Sequence, residues 1–167
     1  MAILLYGFTP FGHNHTNISQ QIVEAIPDRR GLVKHIFPTR FDEAQFLNVA
    51  NKSKPDLIIG TGQYPRGKKL RIETVARNHY RSVSHPITSP IIENGDESIT
   101  LNYNLSENNE TKLSVDAGKY VCNYSMYILA TWTLQHHSRL AFLHIPKDYI
   151  LDKAHEYIEG EINRIIN

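Results

Sequence analysis

The sequence predicts an α/β fold: a three-layer α/β/α sandwich around a mixed, largely parallel central sheet. Compact apolar runs of strand length recur along the chain, at Ala2–Tyr6, Gly31–Phe37, Leu57–Ile59 and Leu140–His144. Segments with apolar residues at helical spacing lie between or beyond them, and buried strands alternating with helices form sheets covered by helices. No internal repeat, linker or low-complexity tract interrupts the 167 residues, so residues 1–167 are expected to form one domain.

Ala2–Tyr6 forms the first strand, and Gly7-Phe8-Thr9-Pro10-Phe11-Gly12 reads as the loop that ends it, with two exposed phenylalanines that need a reason. Asn17–Ile26 carries Ile18, Ile22, Val23 and Ile26 at helical spacing and is closed by Pro27. Gly31–Phe37 is a second strand. A helix from Asp42 to about Lys52 follows, and then the strand Leu57–Ile59, running into Gly60-Thr61-Gly62-Gln63. Leu70–Asn78 begins as a strand. From His79 to Thr111 the pattern is least regular, and Ile91-Ile92, Ser98–Asn102 and Leu113–Val115 read as short strands or extended segments. A polar, glycine-containing turn at Asp116–Gly118 feeds a buried helix from Tyr120, in which Val121, Tyr124, Tyr127, Ile128 and Leu134 recur at roughly helical spacing. Leu140–His144 is another strand, and Asp152–Ile166 places Ala154, Ile158, Ile162 and Ile165 on one face of a terminal helix.

Composition narrows the function. Lys and Arg number 18 against 17 Asp and Glu, so no basic field points to nucleic acid. A membrane helix needs ~20 apolar residues, and no stretch approaches that. The single cysteine cannot form an intrachain disulfide, and the N-terminus lacks the charged and apolar regions of a signal peptide. These features fit a cytoplasmic protein. Gly62–Lys69 matches G-x-x-x-x-G-K but lacks the following Ser/Thr and leads into a strand rather than a helix, so it is not read as a phosphate loop. The pairs His13/His15 and His136/His137 lack acidic or thiol companions at ligand spacing, so neither a metal nor another cofactor is expected.

Three residues could carry chemistry. Cys122 lies in the first turns of a helix, where unpaired N–H groups and the macrodipole favour a thiolate; equally, free cysteines are often just small buried residues. His144 follows an apolar strand and precedes Ile145-Pro146, so its ring is expected to project from the sheet's edge rather than from the core. Glu73 interrupts an apolar strand, which is unfavourable for an acid unless it is paired, and orienting an imidazole would justify it.

Several separated segments together resemble one family, pyroglutamyl peptidase I, a group of cysteine peptidases. GFTPFG followed by Asn17 resembles its opening motif, and DLIIGTGQ followed by IETVARN resembles its glycine-Gln turn and glutamate-bearing strand. AGKYVCNY and FLHIP resemble the segments with its cysteine and histidine. The resemblance implies Cys122 as nucleophile, His144 as base and acid, and Glu73 as the group orienting His144. It also implies that Phe8, Phe11, Asn17 and Gln63 recognise the pyroglutamate ring, with Tyr120 and Val121 lining the same pocket. The substrate would be a small peptide with an N-terminal pyroglutamate, cleaved through a thioester, and the resemblance is compatible with a homo-oligomer. The chain departs from the family at Pro65-Arg66-Gly67, at Ile18, and between Asn78 and Ser114, where it is shorter and NLSENNETK stands in place of a helix. An amidase of different acyl specificity and an inactive binding protein on the same fold are the alternatives.

Overall fold

A computed structural model describes residues 1–166. Among the described residues there are eight strands: β1 (Ile3–Phe8), β2 (Leu32–Phe37), β3 (Leu57–Tyr64), β4 (Leu70–Glu73), β5 (Val75–Arg77), β6 (Ser98–Thr100), β7 (Thr111–Ser114) and β8 (Arg139–Pro146). The helices are α1 (Ile18–Ala25), α2 (Glu43–Ser53), α3 (Val121–His136) and α4 (Leu151–Ile166). Six strands form one sheet in the order β2-β1-β3-β8-β4-β7, and β5 and β6 pair separately. Every neighbouring pair in the large sheet is parallel except β4 with β8.

Residues of opposite parity serve opposite layers, as the two-residue period of a strand requires. Ile3, Leu5, Leu57, Ile59, Leu143 and Ile145 pack against Ile18 and Ile22 of α1 and Ala154, Ile158 and Ile162 of α4. Leu4, Tyr6, Phe8, Ile58, Leu140 and Phe142 pack against Phe46 and Ala50 of α2 and Met126 and Leu129 of α3. Each buried leucine, isoleucine, methionine or phenylalanine among them contributes about 1.5–3 kcal/mol on leaving water. The result is the predicted three-layer sandwich with a mixed, mostly parallel sheet. α4 buries Ala154, Ile158 and Ile162 as its spacing requires. No helix among the described residues is long and apolar enough to cross a membrane.

Several local expectations are corrected. β1 continues to Phe8, whose ring is only 2% exposed and lies among those of Tyr6, Phe37 and Phe46, so it is a core residue and not an exposed loop aromatic. Gly60–Gln63 is not a turn but the second half of β3, because pairing with β8 carries on to Tyr64. Leu70–Asn78 breaks at Thr74, whose N–H donates to the Ser114 carbonyl while its own carbonyl accepts from Leu101 N–H, so the chain leaves the large sheet there. Ile91-Ile92 is no strand: both N–H groups donate to Asn78 Oδ1 instead of a ladder. Leu134, expected on a buried face, is 62% exposed in the last turn of the helix. No helix lies between β5 and α3 among the described residues.

Candidate active site

The site forms at the end of β8 and is closed from above by the start of α3. His144 and Phe142 share the face of β8 that looks toward α3, and Arg71 and Glu73 share the matching face of β4, opposite them in the antiparallel register. Glu73 is 1% exposed and His144 4%, and His144 Nδ1 lies 2.8 Å from Glu73 Oε1. The carboxylate can only accept, so Nδ1 carries the hydrogen and Nε2 is left for another partner. Its place at a strand end predicts that the imidazole projects clear of the core, but it is buried between Phe142 and Tyr64, ring centroids 5.1 and 5.8 Å away. Burial alone would lower its pKa, yet the neighbouring Cys122 and the Glu73 carboxylate outweigh burial and raise it to about 9.

Cys122 is the second residue of α3, half-buried, and its first-turn N–H has no partner within the helix. The turn that feeds it is held by Asp116 Oδ1, which accepts from Gly118 N–H at 2.9 Å, and Gly118 has a φ of +83° that a side chain would strain. Asn123, fully buried beside Cys122, ties the helix start to β5: Oδ1 accepts from Arg77 N–H, and Nδ2 donates to the carbonyls of Arg77 and His79. Ser125 Oγ donates to the Cys122 carbonyl at 2.8 Å. Gly62 makes the approach possible. A Cβ there would meet Cys122 Sγ at 2.6 Å and the His144 ring at 3.1 Å.

Cys122 and His144 open into a cavity of about 480 Å³ that Phe11, Gln63 and Tyr120 also line. Phe11 and Tyr120 form one wall, ring centroids 5.6 Å apart. Gln63 Oε1 accepts from Ile18 N–H at 3.1 Å, leaving its Nε2 hydrogens to donate elsewhere. Three residues named from the sequence stand behind the cavity rather than on it. Phe8 belongs to the core. Val121 is 1% exposed in the same layer. Asn17 is the N-cap of α1: Oδ1 accepts from Ser19 N–H and Oγ, and Nδ2 donates to the Thr9 carbonyl, which holds the loop that carries Phe11.

Sequence reasoning missed Tyr64 and Arg71 on the cavity wall, and Phe41 and Tyr80, which pack behind Tyr120 and Tyr124. Arg71 had a signal: with Glu73 it makes two charged residues, two apart, on one face of an otherwise apolar strand. Phe41 and Tyr80 lie in irregular segments and had none.

Fold and site together define an α/β/α hydrolase of the cysteine type. The family model described as Pyroglutamyl peptidase matches residues 1–88. Pyrrolidone-carboxylate peptidase 1 of Saccharolobus solfataricus is 30% identical over 99% of this chain and 85% of its own length. The pyrrolidone-carboxylate peptidase of Thermococcus onnurineus is 30% identical over 92% of this chain and 88% of its own. The structure of pyroglutamyl peptidase I from Bacillus amyloliquefaciens superposes with a TM-score of 0.83 at 25% identity, covering 95% of this chain and 93% of that one. Pyrrolidone carboxyl peptidase from Thermococcus litoralis, at 17% identity, shares the fold with a TM-score of 0.84, covering 97% and 91%. The chain belongs to the pyroglutamyl peptidase family.

Proposed function

We propose that this protein removes N-terminal pyroglutamate from peptides, with Cys122 as nucleophile, His144 as proton carrier and Glu73 as the group that orients His144. The observation that carries the reading is the buried 2.8 Å contact between Glu73 Oε1 and His144 Nδ1 beside the only thiol of the chain, at the mouth of a cavity. A buried carboxylate is costly unless its partner uses it, and orienting an imidazole toward a thiol is such a use.

In the reaction, the Cys122 sulfur attacks the carbonyl carbon joining pyroglutamate to the next residue. The C–N bond breaks as His144 donates its proton to the departing amine, and the acyl group remains as a thioester. Water, deprotonated by His144, then attacks the thioester and frees pyroglutamate and the thiol. The Cys122 N–H at the helix start is suited to stabilise the oxyanion. A lactam ring carries no charge. The Phe11 and Tyr120 rings suit its apolar part, and the Nε2 hydrogens of Gln63 suit its carbonyl. A single free thiol suits a reducing compartment such as the cytoplasm.

The test is release of a chromogenic amine from a pyroglutamyl amide, with and without prior iodoacetamide. Turnover that alkylation removes supports the reading. No turnover, with Cys122 still rapidly alkylated at neutral pH, would point instead to a hydrolase of another acyl specificity.

A further inference from the structure

One charged group in the cavity has no part in the reaction above. Arg71 stands directly opposite His144 in the β4–β8 pairing, and its guanidinium carbon lies 4.3 Å from the centroid of the Tyr64 ring. Its Nε is buried without a hydrogen-bond partner, and no ion pair among the described residues includes Arg71. A buried donor left without an acceptor is costly. The other charged groups at or beside the cavity are Arg66, Asp116 and the protonated His144 with the Glu73 carboxylate against it; one Asp116 oxygen is engaged by Gly118 N–H and Glu73 Oε1 by His144. Arg66, like Arg71, is in no ion pair among the described residues.

Position says which part of a substrate this charge would meet. Along the sheet the order is β1, β3, β8, β4, so Phe11 (from the loop after β1) and Gln63 lie on one side of His144 and Arg71 on the other. The acyl group belongs with Phe11 and Gln63. The departing amine takes its proton from His144 and so leaves toward β4. We propose that Arg71 is a specificity residue that binds a carboxylate on the residue released with the amine. The stacked, planar fork suits two parallel bonds to such a group. This inference rests on the pyroglutamyl peptidase reading. The carboxylate has two sources, the side chain of an acidic residue after pyroglutamate or the free C-terminus of a dipeptide.

Two substrate pairs separate them. Pyroglutamyl-aspartate amide is compared with pyroglutamyl-asparagine amide, and pyroglutamyl-alanine with its amide, each by kcat/KM for free pyroglutamate release. The charged member of at least one pair should be favoured by about tenfold, the worth of one charge-assisted bond. Preference only in the first pair assigns Arg71 to an acidic side chain, and preference only in the second assigns it to a terminal carboxylate. In Arg71→Met, which keeps the apolar stem, the ratio within the favoured pair should collapse toward one. A ratio within a pair cancels any general loss of activity or folded fraction. Native ratios near one, or a preference that survives in Arg71→Met, would overturn the inference while the neutral amides still report a working pyroglutamyl peptidase. No release from any of the four would overturn the peptidase reading and this inference with it.

Discussion

The place where a Cβ of residue 62 would stand is 2.6 Å from the sulfur of Cys122, so glycine at this point of β3 is what lets α3 lower its thiol onto the sheet. Phe142 and His144 crowd the same point, at 3.0 and 3.1 Å. In Gly62→Ala the side chain with freedom to move is Cys122, which would rotate away from His144. Activity should therefore fall far more than stability. We expect kcat/KM for a pyroglutamyl amide to drop on the order of a hundredfold, as for other small misplacements of a reacting group, while the melting temperature changes by only a few degrees. Equal loss of both would mean that Gly62 serves packing and not the thiol.

Removing the sulfur tests the nucleophile itself. Cys122→Ala takes away one half-buried atom from the cavity wall, a loss of about 1 kcal/mol or less. Its circular dichroism and melting curve should match those of the native protein, and amine release should fall to background. Residual turnover above about one part in a thousand would require another nucleophile.

The pH profile reads the Glu73–His144 pair. His144 is held protonated up to about 9, with Cys122 and Glu73 raising it against the effect of burial. As pH rises through that value the imidazolium loses the proton that the departing amine takes in the proposed reaction, so the alkaline limb of kcat/KM should lie near 9 and not near the 6.5 of a free imidazole. Glu73→Gln keeps the shape but removes a charge that favours the imidazolium. The limb should move toward lower pH, and the maximum rate should fall on the order of a hundredfold or more. Profiles of the two proteins with coincident alkaline limbs would show that the carboxylate does not act on His144.

The layers of the fold were legible because the chain writes them twice, once as apolar strands and once as helices with one apolar face; α4, with Ala154, Ile158 and Ile162, is the clearest case. Cys122, Glu73 and His144 could be picked out because a sole thiol, an acid inside an apolar strand and a histidine at a strand end each conflict with the local pattern. What stayed hidden depends on pairing between distant strands. Gly60 and Gly62 look like turn residues, and only the ladder with β8 makes them strand. Phe8 looks exposed because it follows a glycine, whereas β1 is central and continues one residue further into the Phe37–Phe46 layer. Asn17 and Asn78 spend their side chains on backbone groups of nearby loops, a role that no periodicity reports.

Asn123 carries the last prediction, because the geometry around Cys122 depends on where α3 begins. The helix has no side-chain cap at Tyr120, so its start is held from the side, by three Asn123 bonds to the backbone of Arg77 and His79, each 2.9 Å. Asn123→Ala leaves those backbone groups without their partners beneath a fully buried position. The expected loss is about 3 kcal/mol, from three bonds at roughly 1 kcal/mol each, read as a lower denaturant midpoint with an unchanged slope. Asn123→Asp keeps the acceptor for Arg77 N–H but replaces both donors with oxygen that repels the two carbonyls, so it should be no more stable than the alanine variant despite its similar size. Hydrogen exchange should then quicken at Arg77 and in the first turn of α3 before it does so in β3 or β8. A loss below about 1 kcal/mol in both variants would place the anchor of the helix start elsewhere, in the Tyr6–Ser125 contact beneath it, 3.0 Å between oxygens.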